Sequence, residues 1–153
     1  MRRSLKPMRA SVTNGPGALG RRVARRFTKG GTHPAVRALA ERMGVKIAEE
    51  ATPPPSEARL RSEYQAVPAR IILYRDPLAR LRAAVQVSQR FDMLQCEVEE
   101  VHIAHELFHH LQHGERFGPL GRAEEEEAAH AFAQELLGLE FHPCEFSALV
   151  DQE

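Results

Sequence analysis

Residues 101–113 place the strongest constraint on this chain. They read Val101-His102-Ile103-Ala104-His105-Glu106-Leu107-Phe108-His109-His110-Leu111-Gln112-His113. The apolar residues Val101, Ile103, Ala104, Leu107, Phe108 and Leu111 recur at helical spacing, which predicts a largely buried helix. Asp92 with Gln95 predicts its capped start, and Gly114 its stop. Within it, His105 and His109 stand four residues apart. They therefore leave the same face, one turn apart. Ionisable imidazoles on an apolar helix need partners, and a metal ion is a fitting one. The pattern H-E-x-x-H suits Zn²⁺, with His105 and His109 as ligands at roughly 2.0–2.1 Å. Glu106 lies between them, where it can act as general base toward water at the metal.

A catalytic zinc site uses three protein ligands and leaves one position open. The third is expected from residues 124–137. Here Glu124 to Glu127 lead into Ala128-Ala129-His130-Ala131-Phe132-Ala133-Gln134-Glu135-Leu136-Leu137, and Gly138 follows as a helix stop. Ala129, Phe132 and Leu136 form the apolar stripe. Glu126 and His130 share a face at its edge and point inward. The other three glutamates fit a solvated first turn, where the helix dipole favours negative charge. Glu126 is the expected third ligand, with Glu127 and Glu125 as the next candidates. His130 is the expected oxyanion donor, ahead of Tyr74 and Tyr64. His110 points about 100° away from His109 and is read as a supporting or surface residue. His102 and His113 are expected near the cleft mouth or in solvent.

These two segments resemble the ImmA/IrrE group of small metallopeptidases, relatives of the gluzincins. The likeness rests on His105, Glu106, Leu107, His109 and His110, then on Glu126, Ala129, Phe132, Ala133, Leu136 and Leu137. It extends loosely over residues 36–143. The resemblance implies a zincin-like fold, with zinc held by His105, His109 and Glu126 and with Glu106 as catalytic base. It implies hydrolysis of peptide bonds in a protein or peptide substrate, with a transcriptional regulator as one candidate. His130 stands where the family usually has Asn or Asp. An alternative reading is a silent regulatory or binding module that keeps the metal for structure. There a fourth ligand such as His130 or His142 would close the site.

A chain of 153 residues with 42% hydrophobic side chains supports one aliphatic core; Trp is absent and aromatics make up 6%. Cys96 and Cys144 do not form a disulfide framework. Both are expected reduced, which points to a cytoplasmic setting. Neither a secretory segment nor an apolar run long enough to span a membrane is visible. Cys144 near His142 gives only a weak metal pair.

Ten of the 21 Lys/Arg, and none of the 21 Asp/Glu, fall in residues 1–40. Residues 1–32 therefore read as a flexible basic arm, and 33–153 as the domain. Such an arm could meet nucleic acid, or it could fold back on its own acidic domain or stay disordered; no aromatics interleave the arginines, which favours the last two over nucleic acid.

Val36, Leu39, Ala40 and Met43 predict a helix, with Pro34 in its first turn and Gly44 as stop. Val45–Ala48 and Ala69–Tyr74 predict strands, separated by the break Thr52-Pro53-Pro54-Pro55-Ser56. Residues 57–66 are polar and ambiguous. Asp76-Pro77 predicts a helix start. Residues 115–122 form a Gly/Pro loop free to move over the cleft. The expected fold is α+β: a small antiparallel sheet on a helical bundle that carries the H-E-x-x-H helix. Ile71–Tyr74 is assigned as an exposed edge able to pair with extended substrate.

Overall fold

A computed structural model of the chain describes residues 15–88 and 96–151. The fold is α+β, with six helices among the described residues and one three-stranded sheet. Helix α1 spans Pro16–Ala24, α2 Val36–Arg42 and α3 Arg75–Ser88. Helix α4 spans Val98–Glu115, α5 Arg122–Leu137 and α6 Glu145–Asp151. The strands are β1 Lys46–Glu50, β2 Ser62–Ala66 and β3 Ala69–Tyr74.

Helix α2 ends where the sequence predicts, with Gly44 in the left-handed region at φ 75°. Strand β3 matches its predicted range, and its residues Ile71 to Tyr74 are all buried. Helix α3 starts one residue before Asp76.

Two features of the sheet depart from expectation. The strand order is β1-β3-β2, and β1 runs parallel to β3, so the sheet is mixed rather than antiparallel. The reason is the intervening β2. It pairs antiparallel with β3 across the tight turn at Val67-Pro68, which returns the chain and gives β3 the direction of β1. The second departure follows from the first. With a neighbour on each side, β3 is the central strand, and Ile71–Tyr74 cannot serve as an edge. The edges are β1 and β2. Strand β2 reads Ser-Glu-Tyr-Gln-Ala, polar enough to hide among loop residues. It becomes a strand because Ser62 and Tyr64 turn toward α4 while Glu63 accepts a hydrogen bond from the Tyr74 hydroxyl at 2.5 Å.

Helices α4 and α5 form a hairpin around the core. Ile103, Ala104, Leu107 and Phe108 of α4 meet Ala129, Phe132, Ala133 and Leu136 of α5, all fully buried. The Phe108 and Phe132 rings lie 5.8 Å apart. Their burial is the main drive for the pairing, at ~1.5–3 kcal/mol per large side chain. Gly114 lies inside α4, which ends at Arg116 with φ 57°. The connecting loop is tied down by Phe117, whose ring stacks on Phe108 at 5.6 Å. The predicted start at Asp92 and Gln95 lies outside the described residues. In the structure Glu97 precedes the first turn of α4, and its backbone N–H donates to Glu100 at 2.8 Å.

The described part of the basic segment is not a free arm. Pro16–Ala24 is a helix that lies along α5, with Val23 and Ala24 buried. The approach is closest at Gly20, where a Cβ would stand 2.1 Å from the Ala128 carbonyl oxygen. Its arginines meet the domain's own acids. Arg26 holds Glu115 with two hydrogen bonds of 2.9 and 2.6 Å, and Arg25 lies 3.7 Å from Glu135. Arg2, Arg3, Lys6 and Arg9 lie outside the described residues. No helix among the described residues is long and apolar enough to cross a membrane.

Candidate metal centre

Helix α4 presents two rows of polar side chains, each spaced by a helical turn. His105 and His109 form one row and face α5. His102, Glu106 and His110 form the other and face β2 and the segment before it.

The first row converges on Glu126, one turn into α5. His105 Nε2 lies 3.1 Å from Glu126 Oε1, and His109 Nε2 lies 3.1 Å from Glu126 Oε2. One ligand atom from each of the three residues falls within 4.8 Å of the other two. A tetrahedral ion with bonds of roughly 2.0–2.1 Å needs ligand atoms roughly 3.4 Å apart, so the group fits a metal with small adjustments. No fourth His, Cys, Asp or Glu joins this group among the described residues. Glu126 is about half exposed, so the centre opens to solvent.

Electrostatics agree with a site built for cation or proton. Hydrogen bonds from His105 and His109 hold the Glu126 carboxyl well below the usual carboxylate range. Burial acts to lower the His109 pKa, but the hydrogen bond to Glu126 and the charges of Glu106 and Glu126 outweigh it, and the net direction is upward. His109 is also oriented from behind. Its Nδ1 faces Gln112 Oε1 at 3.4 Å, and Gln112 Nε2 donates to Glu125 Oε2 at 2.8 Å. With a metal held, Nδ1 would be the donor and Nε2 would present its lone pair to the centre.

The neighbouring glutamates thus have other tasks. Glu125 anchors Gln112, and Glu124 accepts the Gly121 backbone N–H at 2.8 Å in the first turn of α5. Neither Glu125 nor Glu127 belongs to the converging group.

Comparison with models of known protein families, with curated proteins and with solved structures returned no match.

Glu106 is buried at 6% exposure, and its Oε2 accepts a 2.7 Å hydrogen bond from Ser62 Oγ. It lines a cleft of about 320 Å³ together with His105, Glu126 and His130. The rim includes Arg59, Arg61 and Pro143. His130 sits over His105 with ring centroids 4.7 Å apart, and the His142 ring is 5.5 Å beyond it. Burial, with His105 beside it, lowers the His130 pKa to about 4, so its ring is neutral at pH 7.

The other three histidines of α4 differ in their surroundings. His102 lines the same cleft, as expected, and is partly buried. It accepts from Arg61 Nε at 3.0 Å, approaches the Val98 carbonyl at 2.8 Å through Nδ1, and stacks on Phe146. Burial, with Arg61 close by, pushes its pKa down to about 3. His110 meets the Tyr64 hydroxyl at 2.7 Å, and His113 is exposed. Both tyrosines are thereby engaged: Tyr64 with His110, and Tyr74 with Glu63.

Sequence reasoning missed Ser62, Arg61 and Gln112. Ser62 and Arg61 come from a segment with no readable periodicity. Gln112 stands three residues after His109, a spacing that marks a neighbour on the same face. The cysteines are both free. Cys144 Sγ lies 2.9 Å from His142 Nδ1 but belongs to no three-residue ligand group among the described residues.

Proposed function

We propose that this chain is a zinc-dependent metallopeptidase that cleaves peptide bonds of a protein or peptide substrate. The observation that carries the reading is the convergence of His105, His109 and Glu126 beside a buried Glu106, with one side of the group open to a cleft. Three ligands with an open position are the arrangement of catalytic rather than structural zinc.

His105 Nε2, His109 Nε2 and a Glu126 oxygen would hold Zn²⁺. When bound, the ion supplies Lewis acidity, which lowers the pKa of water and polarises a carbonyl. Glu106 takes the proton from the attacking water and later delivers it to the leaving amine. His130, neutral and on the cleft wall, donates a hydrogen bond toward the charge that develops on the carbonyl oxygen. Strand β2 pairs on one side only and its side chains reach α4, so an extended peptide adding to that edge would lie along the centre.

The test compares the native chain with Glu106→Gln. Both are expected to bind one zinc per chain. The native chain is expected to cleave an unstructured protein such as casein, and the variant to be at least ~10²-fold slower, as for loss of a general base. Full zinc occupancy with no cleavage by the native chain would favour the regulatory module instead.

A further inference from the structure

Ser62 and Glu106 are the two polar or charged residues among the described, buried set, and they are bonded to each other across 44 positions of sequence. Ser62 belongs to β2, where it pairs opposite Leu73 of the central strand. Its hydroxyl is therefore carried on rigid backbone. On either side of it lie two further contacts from the same stretch of chain. Arg61 Nε donates to His102 Nε2 at 3.0 Å, and the Tyr64 hydroxyl meets His110 Nδ1 at 2.7 Å. The partners on α4 are residues 102, 106 and 110, one per turn along a single row. Arg61, Ser62 and Tyr64 thus tie the sheet edge and the residue before it to the helix, and Glu106 is the middle tie.

This arrangement constrains Glu106 in a way its own helix does not. A glutamate has three rotatable side-chain bonds, and a buried carboxylate left without a donor would swing toward any available one. A hydroxyl has one proton to donate. Given to Oε2, it fixes that oxygen against β2 and leaves Oε1 to act. We propose that Ser62 is a positioning residue that holds the Glu106 carboxylate in one orientation at the candidate centre, as the middle rung of a ladder between β2 and α4. The inference rests on the reading of Glu106 as the base.

The probe is acetohydroxamate, which chelates a metal through its two oxygens and gives a hydrogen bond to an acceptor beside the ion. Binding is measured by the visible spectrum of Co²⁺-loaded full-length protein for the native chain, Ser62→Ala, Ser62→Cys, Ser62→Thr and Glu106→Gln. Azide serves as a second ligand that needs only an open metal position. Ser62→Ala and Ser62→Cys are expected to bind acetohydroxamate about tenfold more weakly, the loss of one bond to a charged group. Azide and metal affinity are expected to stay at the native level, and Ser62→Thr to restore acetohydroxamate binding. Cysteine is close to serine in shape, only slightly larger, and is a poor donor, so a native-like Ser62→Cys overturns the proposal. So does unchanged binding in Ser62→Ala while Glu106→Gln binds more weakly. If Glu106→Gln also binds as tightly as the native chain, Glu106 does not face the metal, and the peptidase reading falls with the proposal.

Discussion

Two histidines one turn apart, on two rows of the same helix, have opposite fates. His105 faces Glu126 and the open centre, whereas His102 is enclosed by Arg61, Val98 and Phe146. Enclosure sets the charge of His102. Its pKa falls from an ordinary 6.5 to about 3, so the folded chain keeps it neutral where the unfolded chain protonates it. Between those values the unfolded state binds the extra proton, and stability therefore drops as pH falls from 6.5 toward 3. The slope from this one group is at most about 1.4 kcal/mol per pH unit. His102→Gln keeps an acceptor for Arg61 and removes the titration. Thermal unfolding at pH 7 and pH 5 should show a smaller loss of Tm for His102→Gln than for the native chain. An equal loss would mean that His102 is protonated in the folded protein.

At the scale of elements, the candidate metal ligands depend on how α5 is held. Helix α5 is gripped between α4 and α1, and α1 comes close because Gly20 has no side chain. A methyl at Gly20 would meet the Ala128 backbone at 2.1 Å, and backbone cannot yield as a flexible side chain can. Gly20→Ala is expected to destabilise the fold by about 1–3 kcal/mol, read as a lower denaturant midpoint. A midpoint like that of the native chain would show that α1 is not seated on α5. Sequence periodicity found α5 and its inward stripe correctly, because Ala129, Phe132 and Leu136 repeat at helical spacing. It could not find the grip of α1. A run of arginines with glycines satisfies the signature of an unfolded arm, and only Glu115 and Glu135, about a hundred positions away, reveal its partner. The polar β2 was hidden for a related reason. Its side chains are matched to α4 and β3 rather than to a core, so no hydrophobic alternation marks it.

For the molecule as a whole, the candidate centre joins two helices that are otherwise coupled by packing, by the loop from Arg116 to Gly121 and by the Gln112–Glu125 hydrogen bond. A ligand that binds the folded state and not the unfolded one raises stability by mass action, about 2.7 kcal/mol at a hundredfold excess over Kd. Zinc added to metal-free protein is therefore expected to raise Tm by roughly 5–10 °C, an effect that Glu126→Ala should abolish. An equal rise in the variant would place the ion elsewhere.

The sequence by itself determined the local half of the site. Spacing along one helix decides that His105 and His109 share a face, that Glu106 lies between them, and that Glu126 and His130 share a face of the next helix. These follow from 3.6 residues per turn, whatever the rest of the chain does. The tertiary structure alone decided which strand is the edge, which donor holds Glu106 and where the arginines of the leading segment go. Those depend on contacts between residues tens of positions apart. Strand direction, helix seating and a lone serine hydroxyl leave no periodic trace, because each is satisfied by a single partner that only folding brings near.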